Sequence, residues 1–255
     1  MNWTTLVASE PGNRHANEDA LSIRRVKAHR RHSYSLVICD GVGSRTGSGD
    51  VAANLCHTLN EIISNRIRSA KGSGGRSKSL TGFGALLTSL RLDNDSGILS
   101  KTCPGATTCS VIIASDQRWE SLSIGDSRGY VLSKECRLNQ ITTDQVNERG
   151  ELIGIVTGNG KLLGTPVSNS GFFDKRRAGV CLTTDGVHEA CSQVELRRFI
   201  IFCIACVREN HVFTHELKSF LGNNISDNFS MALAFNQRMA KYVRSCGATL
   251  MLGDN

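Results

Sequence analysis

An apolar run ends on an acid in the stretch Leu36-Val-Ile-Cys-Asp40-Gly41-Val-Gly43. Such a run is typical of a strand that is buried on both faces, and it stops abruptly at Asp40. The glycine that follows lets another segment of backbone approach closely, so that the carbonyl oxygen of Gly41 is available as a ligand. The stretch therefore predicts a carboxylate at the end of a core strand.

Other acids lie at similar places along the chain. Leu182-Thr-Thr-Asp185-Gly186 repeats the order of apolar strand, acid and glycine, and Asp227-Asn228 comes just before another apolar run. Two further acidic motifs are Arg14-His-Ala-Asn-Glu18-Asp19 and Gly125-Asp126-Ser-Arg128. Any one Asp-Gly pair is more often a simple turn. Carboxylates brought together from distant segments repel one another and raise each other's pKa, which a hard divalent metal ion relieves.

Other kinds of site are disfavoured by the same stretches. The glycines after Asp40 do not form the G-x-G-x-x-G pattern of a dinucleotide site, because Thr46 stands at the third glycine position. The chain has no Gly-Lys-Ser/Thr motif of a phosphate-binding loop. Cys203 and Cys206 have the spacing of a zinc or redox pair, but no second pair accompanies them, and we interpret them as core residues.

The composition is that of an ordinary globular protein. The chain has 255 residues, of which 40% are hydrophobic and 21% charged. Its N-terminal residues do not resemble a secretory signal, and the apolar run Phe199 to Val207 is too short to span a bilayer. We therefore expect a cytoplasmic protein without membrane association, whose ten cysteines are mainly buried free thiols.

The net charge of +7 is partly concentrated between Arg24 and His32. This basic segment is either a solvated hairpin tip or an electropositive rim that attracts phosphorylated or acidic substrates. Nucleic-acid binding is not expected, because Tyr34 is the sole aromatic residue near these charges.

Hydrophobic periodicity predicts strands early, in the middle and at the end of the chain, with helices between them. The predicted strands are Ala20 to Val26, Ser33 to Cys39, Thr107 to Ser115, Trp119 to Ile124, Gly129 to Ser133, Gly179 to Thr184 and Phe229 to Phe235. The predicted helices are Asp50 to Ile67, Phe83 to Leu92, a short one within Glu148 to Ser170, Ser192 to Arg208 with a capping box, Thr214 to Phe220, and Met239 to Cys246. The order fits one domain of two packed sheets covered by helices.

Taken together, the acidic motifs and Gly105-Ala-Thr-Thr108 resemble the type 2C, metal-dependent protein phosphatases in order and approximate spacing, from residue 12 to about 235. The resemblance is to a compact, bacterial-style member. It implies an α+β fold: a four-layer α-β-β-α sandwich of two mostly antiparallel sheets flanked by helices. Residues 1–255 would form one catalytic domain, with 236–255 as a candidate C-terminal tail.

The resemblance also implies a role for each acidic position. Asp40 would bridge two Mg²⁺ or Mn²⁺ ions, one of which is completed by Asp185 and Asp227. The other ion would be held by Glu18 and the carbonyl oxygen of Gly41. The remaining roles are a third, weaker metal site at Asp126, substrate phosphate binding by Arg14, and support of the ligands by Asp19 and Asn228.

These roles are chemically consistent. All proposed ligands are oxygen donors, as Mg²⁺ and Mn²⁺ prefer, and a pair of such ions can activate water for attack on phosphorus. A guanidinium such as that of Arg14 can bind two phosphate oxygens at once. Val42 stands where some members carry a histidine that is proposed to protonate the leaving group, and we expect His188 to be a helix-start or surface residue rather than that acid.

The sequence thus predicts a monomeric enzyme that hydrolyses phosphoserine and phosphothreonine in protein substrates. Two alternatives remain at this point. One is a catalytically weak or silent relative that binds phosphoproteins, and the other is a phosphatase of small phosphate esters.

Overall fold

The computed structural model describes residues 2–28, 31–69, 103–222 and 225–252. The strands are β1 Trp3–Glu10, β2 Ala20–Ala28, β3 Arg31–Cys39, β4 Ala106–Thr107, β5 Cys109–Ser115, β6 Arg118–Ile124, β7 Arg128–Leu132, β8 Leu138–Gln140, β9 Ile155–Thr157, β10 Leu162–Leu163, β11 Val167–Phe172, β12 Gly179–Thr183 and β13 Phe229–Asn236. The helices are α1 Ser48–Ser69, α2 Asp185–His188, α3 Gln193–Cys206, α4 Asn210–Leu221 and α5 Gln237–Leu252. None of these helices is both long and apolar enough to cross a bilayer.

Two large antiparallel sheets form the centre of the molecule. Sheet A has the order β1-β13-β12-β7-β8, and sheet B has the order β11-β6-β5-β3-β2. A small third sheet has the order β10-β9-β4. Antiparallel pairing lets half of the neighbouring strand pairs follow one another along the chain, whereas β1 reaches β13 across almost the whole sequence.

Alternating side chains of each central strand divide the core into layers. Leu36 and Ile38 of β3 pack between the two sheets, whereas Val37 and Cys39 face α1 on the outer side of sheet B. On the outer side of sheet A, residues such as Leu233 pack against α3, α4 and α5. The result is the predicted α-β-β-α arrangement, and the fold prediction is confirmed.

Several element predictions match closely. The strands after residues 20, 33, 179 and 229 form as predicted, and α1 has the expected long amphipathic face. Ser192 caps α3 through the Glu195 backbone N–H, and the Glu195 carboxylate accepts from the Ser192 N–H, so the capping box is present. The helix predicted over residues 83–92 lies outside the described residues.

The prediction for residues 148–170 is wrong. No helix forms there; the segment contains β9, β10 and the start of β11. Gly150, Gly160 and Gly164 have positive φ angles of 78°, 76° and 86°, which makes turns where a helix would have to continue. Strand β1 was not predicted at all, and Cys206 is exposed rather than in the core.

Strand direction separates the two ends of the sandwich. One end of the sandwich holds the C-terminal ends of β3, β6 and β12 and the start of β13. In each antiparallel pair the last residue of one strand lies beside the start of its neighbour: Cys39 of β3 beside β2, Ile124 of β6 beside β5, and Thr183 of β12 beside β13. The end of β2 and the start of β3 lie at the opposite end, where Ser33 pairs with Ser115. The basic segment therefore lies far from the acidic residues, and its attraction of acidic substrates stays a prediction.

Candidate metal centre

The structure brings the predicted acids together at one end of the sandwich. Asp40 directly follows β3, Asp126 follows β6, and Asp185 is the first residue of α2, after β12. Asp227 precedes β13, and Glu18 precedes β2. We call this group the acidic end. Five separate chain segments converge there because antiparallel order places these strand ends side by side.

The backbone of Asp40 is fixed by the Gly105-Ala-Thr-Thr108 segment. Its N–H donates to Thr108 Oγ1 at 3.2 Å, and its carbonyl oxygen accepts from the Thr108 N–H at 2.8 Å and from Thr107 Oγ1 at 2.8 Å. Both threonines are buried. The direction of the Asp40 side chain is thus set by a neighbouring strand rather than by a mobile loop.

Glycine is required at position 41 because Glu18 lies against it. The Gly41 N–H donates to the Glu18 carbonyl oxygen at 3.2 Å. A Cβ at position 41 would stand 2.7 Å from that oxygen and 2.9 Å from Glu18 Cβ. A Cβ at Gly43 would lie 3.1 Å from Arg14 Nη1 and 3.3 Å from Glu18 Oε2, so both side chains pass over this turn.

The carboxylates of the acidic end influence one another strongly. Burial, followed by the charges of Asp19 and Asp185, raises the pKa of Asp40 well above its ordinary value. Asp40 and Asp185 are within hydrogen-bonding reach of each other, and burial also raises the pKa of Asp185. Burial, then the charge of Asp185, raises the pKa of Asp126 to about 6. Such a group favours a bound proton or cation over a set of bare charges.

Asp19 lies behind this group. Its Oδ2 accepts from Thr184 Oγ1 at 3.0 Å, and the same hydroxyl oxygen accepts from the Ser230 N–H. Burial raises the pKa of Asp19 to about 7. Among the described residues, Asp19 Oδ1 is buried without a hydrogen-bond partner.

Asn228 ties the loop before β2 to the start of β13. Its Oδ1 accepts from the Glu18 N–H at 2.9 Å, while Nδ2 donates to the carbonyl oxygens of Pro11 and Ala16. The carboxylate of the preceding residue, Asp227, forms an ion pair with Arg14 Nη2 at 2.6 Å. Both charged side chains remain partly exposed to solvent.

Sequence reasoning missed three neighbours of the acidic end. Arg128 binds the Asp144 carboxylate through Nε and Nη2, at 2.9 Å and 2.7 Å to Oδ2. Glu189 lies one helical turn after Asp185, and burial followed by the Asp185 charge raises its pKa. The spacing of four residues between Asp185 and Glu189 could have indicated that Glu189 lies near the site. Asp144 has no such sequence signal.

His188 is buried at the end of α2, not at the surface. Its Nδ1 is 3.3 Å from Thr183 Oγ1, and burial lowers its pKa to about 4. The ring is therefore neutral at physiological pH and belongs to the core beneath the site.

The donor set fits divalent metal ions of the hard class. Every candidate ligand is an oxygen atom, and the acids stand close enough to raise each other's pKa. The buried Asp19 oxygen is a further acceptor without a donor. In the described part of the chain, no three His, Cys, Asp or Glu side chains converge as closely as ligands of one ion do. The fit therefore rests on donor chemistry and on pairwise proximity.

Comparison with known proteins agrees with this chemistry. Residues 11–222 match the family model of protein phosphatase 2C, which is most of the chain. The fold is similar to that of the serine/threonine phosphatase Stp1 from Staphylococcus aureus, with a TM-score of 0.64, 18% identity, and coverage of 93% of this chain and 96% of that one. It is equally similar to PppA, a regulatory component of the type VI secretion system (T6SS) in Pseudomonas aeruginosa, with a TM-score of 0.64, 19% identity, and coverage of 92% and 97%.

A third similar structure is the serine/threonine phosphatase of S. agalactiae, with a TM-score of 0.65, 13% identity, and coverage of 92% of this chain and 100% of that one. At these identities the solved structures establish the fold. A search of curated proteins finds no match. The family assignment rests on the model that spans residues 11–222. The chain belongs to the protein phosphatase 2C family of metal-dependent protein phosphatases.

Proposed function

We propose that this chain hydrolyses phosphoserine and phosphothreonine in cytoplasmic proteins, as a monomer with residues 1–255 forming one catalytic domain. The observation that carries the proposal is the convergence of Asp40, Asp185 and Asp227 from three distant strands. Burial and the charge of Asp185 raise the pKa of Asp40, and burial and the charge of Asp227 raise the pKa of Asp185, so a bound cation is favoured there. Two Mg²⁺ or Mn²⁺ ions fit that requirement.

We assign the ligands as the sequence predicts. One ion would be held by Asp40, Asp185 and Asp227, and the other by Asp40, Glu18 and the carbonyl oxygen of Gly41. We propose that Asp126, with Glu189 nearby, would hold a weaker third ion. When bound, such ions supply an activated water at neutral pH and offset the charge of the phosphoryl group.

The protein's own groups then position the substrate and the ligands. Arg14 is partly exposed above Gly43, where its guanidinium can bind two phosphate oxygens. Asn228 holds the loop that carries Glu18, and Thr184 orients Asp19. Val42 has no proton to donate and His188 is neutral and buried, so we propose that solvent water protonates the leaving oxygen.

The test is hydrolysis of p-nitrophenyl phosphate and of a phosphothreonine peptide, with Mn²⁺, with Mg²⁺ and with chelator. We expect metal-dependent turnover in the wild type and loss of at least about a hundredfold in Asp185→Asn. Asp174→Asn is the matched control, because Asp174 is an exposed acid at the opposite end of the sandwich.

Turnover that persists in Asp185→Asn would remove this residue from the site. A folded wild type without turnover under either metal would favour the silent phosphoprotein binder. Hydrolysis of the small ester without hydrolysis of the peptide would favour a phosphatase of small substrates. Neither alternative is supported by the family match, which is to protein phosphatases.

A further inference from the structure

The end of the sandwich opposite the acidic end carries a concentration of positive charge. Four parts of the described chain meet there: the end of β2, the β5–β6 turn, the turn after β11, and the beginning of α5. Arg118 of β6 lies opposite Phe172 of β11 in the strand pairing, which places the β5–β6 turn beside the turn after β11. The Asn236 side chain donates to the Arg176 carbonyl oxygen at 2.8 Å, which places the start of α5 beside the same turn. We call this surface the basic end; its cations are Arg25, Lys27, Lys175, Arg176, Arg177, Arg238 and Lys241.

Acids offset little of this charge. Asp116 and Asp174 are the acids on the same turns of the described chain. Asp116 is half-buried, and its Oδ1 accepts from Trp3 Nε1 at 2.9 Å. Lys175 and Arg176 are exposed, and the Arg177 guanidinium lies 3.9 Å from the centre of the Tyr242 ring. The basic end therefore attracts polyanions, while the acidic end repels them.

An aromatic side chain projects from the middle of this surface. Phe172 is 84% exposed, the highest value among the large hydrophobic residues of the described chain, whereas Phe173 beside it is buried. Lys175 and Arg176 follow with φ angles of 45° and 58°, a conformation that residues with a side chain seldom adopt. This tight turn holds an apolar anchor and two cations together, as protein-binding surfaces often do.

Strand β11 connects the two ends of the molecule. It begins at Val167, opposite Ser123 near the acidic end, and it ends at Phe172. Within the described ranges, β11 pairs on one side, with β6, and is the edge of sheet B. Its exposed residues Ser168, Asn169 and Ser170 are small and uncharged, so nothing on this edge repels an added strand. An open edge that leads to a basic surface favours an extended peptide over a bilayer or a nucleic acid.

We propose that the basic end and the open edge of β11 form a docking surface for an extended acidic segment of the phosphoprotein substrate. The inference rests on the proposed function and specifies its substrate class: phosphoproteins with an acidic segment well separated from the phosphorylated residue. The nine residues of β3 between the two ends span eight rises of about 3.3 Å each, which is about 26 Å. A substrate must therefore place at least about eight residues between the two features.

Direct binding tests the surface without any catalysis. The probe is a fluorescent, unphosphorylated peptide of Asp and Glu with one Leu, measured by anisotropy at low and moderate salt. We expect the Lys175→Glu/Arg176→Glu double variant to bind at least about tenfold more weakly than wild type. Phe172→Ser should bind severalfold more weakly while keeping the salt dependence, because it removes an apolar contact and no charge.

The matched control is Arg198→Glu/Lys218→Glu. These two exposed cations lie on α3 and α4, away from the basic end, and the double variant has the same change of net charge. It should bind the peptide like wild type. Circular dichroism melting confirms that each variant is folded, so that a loss of binding reports on the surface.

Substrate kinetics test the geometry. Phosphothreonine peptides carry the acidic segment behind a Gly-Ser spacer of about four or about twelve residues, the second of which can span the distance between the two ends. We expect the longer spacer to raise kcat/KM severalfold through a lower KM, and Lys175→Glu/Arg176→Glu to abolish this gain. Hydrolysis of p-nitrophenyl phosphate should be unchanged in this variant, which separates loss of docking from loss of the phosphatase activity.

Three results would overturn the inference. The first is an equal loss of peptide binding in the control double variant, which would reduce the effect to net charge. The second is an equal kinetic gain with the short spacer. The third is wild-type binding to phosphatidylglycerol vesicles or to a single-stranded RNA oligonucleotide without binding to the acidic peptide.

Discussion

Arg14 is the residue that the proposed mechanism places in contact with substrate phosphate. In the structure it is partly exposed and forms an ion pair with Asp227. Arg14→Ala should raise KM for a phosphothreonine peptide by about tenfold or more, with a smaller effect on kcat, because a charged hydrogen bond to the bound phosphate is lost. Arg14→Lys should recover part of the loss. Steady-state kinetics decide the point: a fall in kcat at constant KM would instead assign Arg14 to the transition state.

Asp19 makes the metal-free protein sensitive to pH. Its pKa is raised to about 7 in the folded state, from an ordinary value of 3.8, so the folded chain binds more protons than the unfolded one between these pH values. Its contribution to stability is therefore complete below about pH 4 and is lost as the pH rises towards 7.

We expect Asp19→Asn to melt at a higher temperature than wild type at pH 7 in chelator, with a gain that shrinks as the pH is lowered towards 4. His188 has the opposite trend, because its lowered pKa favours the folded state at higher pH, and it is common to both proteins. Thermal melting across this pH range is the measurement. A gain that is independent of pH would show that the effect is not linked to protonation.

Gly186 is needed for a steric reason. A Cβ at this position would lie 2.0 Å from the Asn228 carbonyl oxygen, so Gly186→Ala must displace the turn that carries Asp185. We expect a loss of activity together with a destabilisation of several kcal/mol, on the order of a severe core defect. Gly150→Ala is the control: its φ of +78° makes alanine strained there, but nothing lies within 4 Å, so it should cost about 1 kcal/mol. Equal urea-unfolding midpoints for the two variants would contradict the steric account.

At the scale of elements, Asn228 joins the loop of residues 11–18 to the start of β13. Asn228→Ala removes three hydrogen bonds to Glu18, Pro11 and Ala16. Hydrogen exchange of this loop should become much faster while the sheet cores stay protected, and turnover should fall because Glu18 is no longer held. Asn60→Ala, which removes a buried asparagine that contacts Ser35, is the matched control and should leave the loop unchanged.

Elements buried on both faces could be predicted from sequence, and those defined by turns could not. Residues 34–39 of β3 and all residues of β12 are buried, so a strong apolar run marks each strand in the sequence. Strand β1 is half-exposed at a sheet edge and carries no such signal. Residues 148–170 mix apolar residues with glycines, and the positive φ angles that decide their turns cannot be seen in hydrophobic periodicity.

The residues of the candidate site also divide into those that the sequence could predict and those that it could not. Its acids could be predicted because each adjoins a strong strand signal or a family motif. Asp144 could not, since its contact with Arg128 depends on the path of the chain between β8 and β9. The position of the basic hairpin at the far end also depends on strand direction, which composition does not reveal.

At the scale of the whole molecule, the residues beyond the family match complete the fold. The match ends at residue 222, yet Asp227, β13 and α5 follow. Met239, Ala240 and Val243 of α5 are buried in the cluster that covers sheet A. Deletion from residue 237 should therefore abolish cooperative unfolding in urea, because it exposes this cluster. Deletion of residues 253–255 is the control; a cooperative transition in the longer deletion would show that α5 is dispensable.

The pairing of β1 with β13 has a consequence for how the chain is made. Eight residue pairs join residues 3–10 to residues 229–236, so β1 has no partner in its sheet until β13 has also been synthesised. The same delay applies to Glu18 and Asn228, and to Arg14 and Asp227. A nascent chain thus lacks an assembled centre until residues 227–236 have left the ribosome, and catalytic activity arises only after that point.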